Sequence, residues 1–364
     1  MAIHAVFPDT YDQQLDAKAA RLRRQFAAFE PPALEVFCSQ ATHYRQRAEF
    51  KIWQAQGRAH YAMYKPGEYK QPFIIEDFKV GAPLINDLMP PLLTALNASE
   101  ILRRRLFQVE FLTTLSGAAL VTLIYHKALD EHWTAAAEKL RRQLAIDIIG
   151  RSRKQKVVLG KDYVIECLNL GERKYYYQQV EGCFTQPNAG VCEKMLAWAC
   201  DATQPLDGDL LELYCGNGNF TLPLARQFDR VLATEISKTS VKSALYNLDR
   251  NGIDNVAIAR MSSEEFAQAM DKVRAFRRLQ DIALDGYRFS TVLVDPPRAG
   301  LDPHTVDIVK RFDNILYISC NPETLQQNLQ SISATHHVQR FALFDQFPYT
   351  DHIECGVLLR RRDA

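Results

Sequence analysis

The stretch Asp209-Leu-Leu-Glu-Leu-Tyr-Cys-Gly-Asn-Gly-Asn-Phe220 runs from an apolar segment into a glycine-punctuated turn. Leu210, Leu211 and Leu213 make a short run of the kind a parallel sheet buries on both faces. Gly216 and Gly218 let the backbone approach a ligand closely at the carboxyl edge of that strand, and a helix is expected through Leu222 to Phe228. The next strand, 230–234, ends in Glu235, an acid placed to accept both hydroxyls of a ribose. A dinucleotide site wants a third glycine near position 221, where this chain has Thr221. The pattern therefore favours a nucleoside cofactor without a pyrophosphate, on a doubly wound α/β sheet.

Further strands follow with chemistry at their ends. Ser290 to Val294 leads into Asp295-Pro296-Pro297-Arg298. The turn is similar to the Asp/Asn-Pro-Pro-aromatic turn of amine methyltransferases, but Arg298 replaces the aromatic. That disfavours amine chemistry and leaves a cation suited to a base carbonyl or a phosphate. Ile315 to Ile318 then delivers Cys320 to a turn. Asn321 reads as a helix N-cap, Pro322 as the first helical residue, and Leu325, Leu329 and Ile332 as the apolar face behind. A helix starting just past the thiol is expected to favour the thiolate, the nucleophilic form. Strands at 338–344 and 353–359 close the chain. Glu354 opens a run of Val357, Leu358 and Leu359, where a carboxylate is out of place unless it is salt-bridged or works. Asp351 and His352 are rival acid–base candidates in the loop before it.

At 364 residues the chain is long enough for two domains, at roughly 150 residues each. No apolar run of about 18 residues is present, so no transmembrane helix is expected. Asp9, Asp12 and Asp16 near the start argue against export, and a cytoplasmic location is expected. Eight cysteines form no C-x-x-C pair, so neither a zinc nor an iron–sulfur motif is written here. The net charge of +1 hides an asymmetry. Residues 1–182 hold 25 Lys and Arg against 20 Asp and Glu, and residues 183–364 hold 19 against 23. A basic front half suits contact with a polyanion.

That front half, 1–182, reads as an α+β domain. A helix is expected over Tyr11 to Phe29, stopped by Pro31 and Pro32. From His43 to Trp53 the period changes to two, with Arg45, Arg47, Glu49 and Lys51 on one strongly cationic face. Strands near 59–64, 107–115 and 118–126 and helices near 84–97 and 130–145 follow. Arg103, Arg104 and Arg105 run into Phe107, a basic cluster beside an aromatic that suits phosphate contacts and stacking on an unpaired base. The segment 184–188 reads as the hinge into the second domain, 183–364, with a helix behind it over roughly 189–202.

Gln186, the Glu212 to Phe220 turn, the Asp295 to Arg298 turn, Ser319-Cys320-Asn321-Pro322 and Glu354 in a His-Ile-Glu-Cys-Gly context together resemble the S-adenosylmethionine-dependent RNA uracil-C5 methyltransferases. The resemblance spans nearly the whole chain. It is nearest to the bacterial tRNA-modifying branch, because His43-Tyr44-Arg45 through Phe50 and Leu106-Phe107-Gln108 match too. It implies a Rossmann-like methyltransferase sheet preceded by an RNA-binding domain. It further implies S-adenosyl-L-methionine held by Gln186, Tyr214, Asn219, Glu235 and Asp295, with Cys320 as nucleophile, Glu354 as base, and no metal or iron–sulfur cluster. The implied substrate is the T-loop uridine of tRNA, which becomes ribothymidine. Partners are expected to be the tRNA T-arm and similar arms such as that of transfer-messenger RNA, with the protein a monomer and no membrane involved. Arg45, Arg47, Phe107 and Arg298 are the candidate RNA contacts. A ribosomal-RNA methylase, a cytosine-C5 methylase and a tRNA-folding factor are the alternatives. Ribosomal-RNA relatives typically carry a front β-barrel or a cysteine cluster, and cytosine methylases place a proline before the cysteine where this chain has Ser319.

Overall fold

A computed structural model describes residues 6–65, 67–204 and 206–362. The chain forms two compact units. Among the described residues, the first comprises 6–9, 40–167 and 179–189; the second comprises 10–39, 168–178 and 190–362.

The second unit is built on an eight-stranded sheet. Its order is Glu35–Phe37, His336–Phe344, Glu354–Arg361, Asn314–Ser319, Phe289–Val294, Asp209–Leu213, Val231–Thr234 and Val256–Ala259. All neighbours pair in parallel except at Glu354–Arg361, which runs antiparallel to the strand on either side. The core strands are apolar throughout because both faces are covered: Leu210, Leu211, Val292, Leu293, Ile315 and Leu316 are fully buried. Helices Lys238–Arg250, Ser263–Met270, Pro303–Val309 and Pro322–Ile332 occupy the crossovers. This is the Rossmann-like methyltransferase sheet expected from the sequence, with two differences. After the glycine turn the helix is a single turn, Thr221–Leu224, with Pro223 inside it, instead of continuing to Phe228. The helix Tyr11–Phe26, with the short strand Glu35–Phe37, belongs to this unit and not to the 1–182 domain in which sequence proximity placed it. Tyr11 and Lys18 bond to Asp345 and Phe26 packs on Phe341 at 5.1 Å, so long-range contacts decide its membership.

The first unit holds a seven-stranded sheet in the order Glu68–Ile74, Arg58–Lys65, Arg47–Ala55, Leu106–Thr113, Ala119–Tyr125, Asp147–Ser152 and Gln155–Leu159. Helices Pro83–Ala98 and Glu131–Leu144 supply the α part of the α+β pattern. Phe50, Tyr61, Phe78 and Phe111 meet in its core. The period-two strand is present: Tyr44, Gln46, Ala48, Phe50 and Ile52 are buried in alternation. A hairpin, Tyr163–Leu170 and Arg173–Val180, was not legible in the sequence pattern.

Candidate active site

Adjacent strands place the second unit's functional side chains at one edge of its sheet. The ladder between Asn314–Ser319 and Glu354–Arg361 ends at the pair Ser319 and Cys355. One step further stand Cys320 and Glu354. An antiparallel strand begins where its parallel neighbours end, so Glu354, the first residue of its strand, lies at the edge where Cys320 leaves its own. Asn321 caps the following helix as expected, its Oδ1 accepting from the Glu323 N–H at 3.1 Å. Asn321 Nδ2 and Thr324 Oγ1 both donate to Arg298 O, at 3.0 and 3.3 Å, so the Asp295 to Arg298 turn is tied to the turn that carries Cys320.

The electrostatics of this cluster differ from the sequence expectation. Burial pushes the Cys320 thiol up to about 12, the Glu354 and Asp295 carboxylates push it the same way, and only Arg298 among the named neighbours opposes them. Burial first, and then the two acids, act against the thiolate that the helix start was expected to favour, with the exposed Arg298 guanidinium on its side. Burial also lifts the Asp295 carboxyl to about 7 and holds Glu354, 3% exposed, well above the carboxylate range, with Asp295 adding to the effect. Glu354 makes no salt bridge among the described residues, whereas the rivals Asp351 and His352 are exposed. His352 Nδ1 stands 3.5 Å from Arg298 Nη2.

The glycine turn makes the other half of the site. Tyr214 and Gly216 adopt left-handed backbone, with φ of 64° and 58°. Gly218 has φ of 85°, and a Cβ there would meet Leu222 at 2.8 Å. Glu235 reaches back to this turn, Oε2 accepting from Gly216 N–H at 3.1 Å and Oε1 from Ser237 N–H at 2.6 Å. The Tyr214 hydroxyl pairs with Ser263 Oγ at 2.8 Å. The 168–178 hairpin tip props the turn. Tyr177 Oη donates to Asn219 O at 3.0 Å, Asn217 Nδ2 donates to Gln178 O at 3.3 Å, and Asn247 Nδ2 donates to Asn217 O at 2.9 Å. Glu212 lies on the strand that leads into the glycine turn. Its Oε2 is buried without a partner, and burial pushes its carboxyl up to about 8. Asn219 Nδ2 is likewise buried and unpaired. A buried carboxyl oxygen and a buried amide nitrogen without partners, on the strand and turn of one motif, fit a ligand that carries both an ammonium and a carboxylate. No group of three or more His, Cys, Asp or Glu with metal-site geometry exists among the described residues.

The chain matches the tRNA (uracil-5-)-methyltransferase family model over residues 10–362. It belongs to that family. The tRNA/tmRNA (uracil-C(5))-methyltransferase of Cellvibrio japonicus is 61% identical over 352 residues, covering 97% of this chain and 96% of that protein. The protein of the same name from Saccharophagus degradans is 61% identical over 356 residues, covering 98% of both. The crystal structure of Pyrococcus abyssi tRNA (uracil-54, C5)-methyltransferase in complex with S-adenosyl-L-homocysteine superposes with a TM-score of 0.74 at 20% identity, over 96% of this chain and 83% of that one. It shares the fold. As a uracil-5-methyltransferase of this family, the enzyme takes S-adenosyl-L-methionine as methyl donor.

The remaining candidates lie in the first unit. Gln186 sits in its 179–189 segment. Arg47 Nη1 donates to Cys183 O at 2.7 Å. Arg45, expected on an open cationic face, is largely enclosed. Its Nε donates to Arg47 O at 2.8 Å, its Nη1 is buried without a partner, and burial lowers its pKa. Phe107 is 36% exposed, but its ring faces are taken. The His126 ring stacks on it at 4.2 Å and Lys51 Nζ lies 4.1 Å from its centroid. Two groups this close to one centroid cannot share a face, so Phe107 is the middle layer of a column whose outer aromatic surface is the exposed His126. No helix of the described residues is long and apolar enough to cross a membrane.

Proposed function

We propose that the enzyme methylates C5 of the T-loop uridine of tRNA through a covalent bond between Cys320 and C6 of the base, and that Glu354 then removes the C5 proton. The observation that carries this is the antiparallel ladder, which brings one thiol and one buried carboxyl with no salt bridge among the described residues to the same sheet edge. Uracil C5 is too electron-poor to attack a methyl sulfonium directly. When Cys320 Sγ bonds to C6 and gives up its proton, the ring π electrons move onto the O4 enolate, and C5 becomes nucleophilic. The cofactor supplies the electrophilic methyl group. Glu354 takes the C5 proton, the C5–C6 double bond re-forms, and Cys320 leaves as thiolate. A carboxylate with a raised pKa is the better acceptor for a carbon acid. Arg298, whose charge favours the Cys320 thiolate, is proposed to face an anionic oxygen of the substrate.

Gln186, Tyr214, Asn219, Glu235 and Asp295 are proposed to hold the cofactor. The RNA is proposed to be recognised by the first unit. There the exposed Arg104, Arg105 and Arg153 supply phosphate contacts, Arg47 a further cationic group, and the Lys51–Phe107–His126 column a surface on which a splayed base stacks. The names of the curated relatives include transfer-messenger RNA, and its tRNA-like arm is proposed as a second substrate. The reading takes the enzyme as a cytoplasmic monomer that needs no metal.

The deciding experiment uses Cys320→Ala and Glu354→Gln with a T-arm hairpin and S-adenosylmethionine. Cys320→Ala should give neither adduct nor product. Glu354→Gln should methylate and then stall, leaving a protein–RNA species that survives a denaturing gel. Normal turnover by Glu354→Gln with no adduct would remove Glu354 from the mechanism.

A further inference from the structure

One stripe of the helix Tyr11–Phe26 carries Tyr11, Gln14, Lys18, Arg21 and Gln25, spaced alternately three and four residues apart and therefore on one face. All five reach the segments that deliver Glu354 and Cys320. Tyr11 Oη and Gln14 Nε2 donate to Asp345 Oδ2 at 3.0 and 2.9 Å. Lys18 Nζ donates to Asp345 Oδ1 at 2.7 Å and to Phe347 O at 2.8 Å. Arg21 Nη2 donates to Asp351 O at 2.6 Å, and the Tyr349 N–H donates to Gln14 Oε1 at 3.3 Å. Gln25 and Gln326 exchange hydrogen bonds, Gln326 lying on the helix that starts just after Cys320. Lys18 is 6% exposed and Asp345 fully buried, so the pair is enclosed, and a buried pair of this kind fixes geometry more than it adds stability. The segment it grips contains Tyr349 in left-handed backbone, φ 59°, a conformation that persists only where surroundings impose it.

We propose that Lys18, with Tyr11, Gln14 and Arg21, is a positioning device for Glu354: the first helix clamps the 345–353 segment so that the carboxylate meets the C5 proton of the Cys320-bound ring. The proposal rests on the role given to Glu354 above. A clamp that only stabilised the fold would affect every step alike, whereas a positioning clamp acts on proton removal and leaves cofactor binding and adduct formation in place.

The test compares Lys18→Met, the double variant Lys18→Met/Asp345→Asn, Arg21→Met and Glu354→Gln in the full-length enzyme. Melting temperature, calorimetric affinity for S-adenosylmethionine, kcat on a T-arm hairpin, and the fraction of protein held as denaturation-resistant RNA adduct are the readouts. Lys18→Met should lower kcat about tenfold to a hundredfold, the cost of misplacing a reacting group by an ångström or less, while adduct accumulates and cofactor affinity stays within about twofold. The double variant removes the orphaned buried charge, so its melting temperature should recover while kcat stays low and adduct stays high. Arg21→Met should move kcat and adduct the same way by less. If Lys18→Met does not fold, the double variant and Arg21→Met carry the test. Wild-type turnover without adduct in the stable variants, or equal loss of adduct and product, would overturn the clamp. In either case accumulation by Glu354→Gln leaves the base assignment standing, and its absence there assigns the failure to Glu354 instead.

Discussion

Cys320, the proposed nucleophile, gives the sharpest quantitative test, because burial raises its thiol pKa. Its ordinary value of 9.0 is raised to about 12. Each unit is a factor of ten in thiolate, so the free enzyme near neutral pH holds roughly a thousandth of the thiolate of an unperturbed cysteine. Alkylation by iodoacetamide, followed peptide by peptide in a mass spectrometer, reads this directly, with the exposed Cys38 as an internal reference for the reagent. The Cys320 rate should climb about tenfold per pH unit from pH 7 to pH 10 without levelling, as expected of a thiol below its pKa. Two variants work the signs. Arg298 is the cation that favours the thiolate, so Arg298→Met should slow the reaction at every pH. The Glu354 carboxylate opposes the thiolate, so Glu354→Gln should react faster than wild type, by more as pH rises and the carboxyl ionises. A wild-type profile that levels off below pH 9 would refute the argument, since it would mean that the helix start does prevail over burial and the two acids. Adduct formation with RNA should share the rise with pH, because the same proton leaves as the S–C6 bond forms.

Glu212, buried and lifted to about 8, favours the folded state fully only below the unfolded carboxyl value, and that contribution is lost as pH rises from about 4.5 towards 8. Without cofactor, Glu212→Gln should accordingly gain on wild type by on the order of a few kcal/mol between pH 5 and pH 8 in denaturant melts, and an equal gap at both would contradict the burial argument. Gly356 has no room for a methyl group, since a Cβ would stand 2.6 Å from Trp198 and 2.9 Å from Phe344. Gly356→Ala should cost about 1–3 kcal/mol of stability and disturb Glu354 two residues away; an unchanged melt would show the packing to be loose. His126→Ala should weaken RNA binding by about 1–3 kcal/mol at fixed salt, the worth of one stacked base, and should leave cofactor affinity untouched. If Phe107→Ala weakens RNA binding and His126→Ala does not, the base uses Phe107 after displacing its neighbours.

What the sequence made legible were features with short-range causes. The glycine turn, the Asn321 cap, the buried strand before Cys320 and the period-two strand from Tyr44 are each fixed by residues within one element, and each is where the pattern put it. What it hid depends on distant partners. The Glu35–Phe37 strand is three residues long, too short for a period, and exists because His336–Phe344 offers a parallel edge. Strand direction has no local signature, so the antiparallel setting of Glu354–Arg361, which brings Glu354 to Cys320, could be seen only in the ladder. Arg45 alternates correctly with its neighbours but is covered by backbone at Val80 and Ala82, to which its own N–H and C=O bond. The Cys320 thiol followed the same rule: the local helix start was visible, while the enclosing acids came from two other strands.

The order in which the catalytic sheet is completed follows from where its pieces lie along the chain. Tyr11 waits for Asp345, a separation of 334 residues, and Glu35–Phe37 pairs only with a strand that begins at His336. During synthesis the first helix leaves the ribosome well before its partners exist, while residues 40–167 can complete their own sheet meanwhile. The Tyr11–Phe26 helix, with Leu15, Leu22 and Phe26 destined for burial, therefore lacks its partners until the segment around Asp345 has been made. A nascent chain stalled before Glu354 would lack both the proposed base and the strand that joins the two halves of the sheet. Methylation competence would then arrive in one late step, when Glu354–Arg361 slots between neighbours already formed.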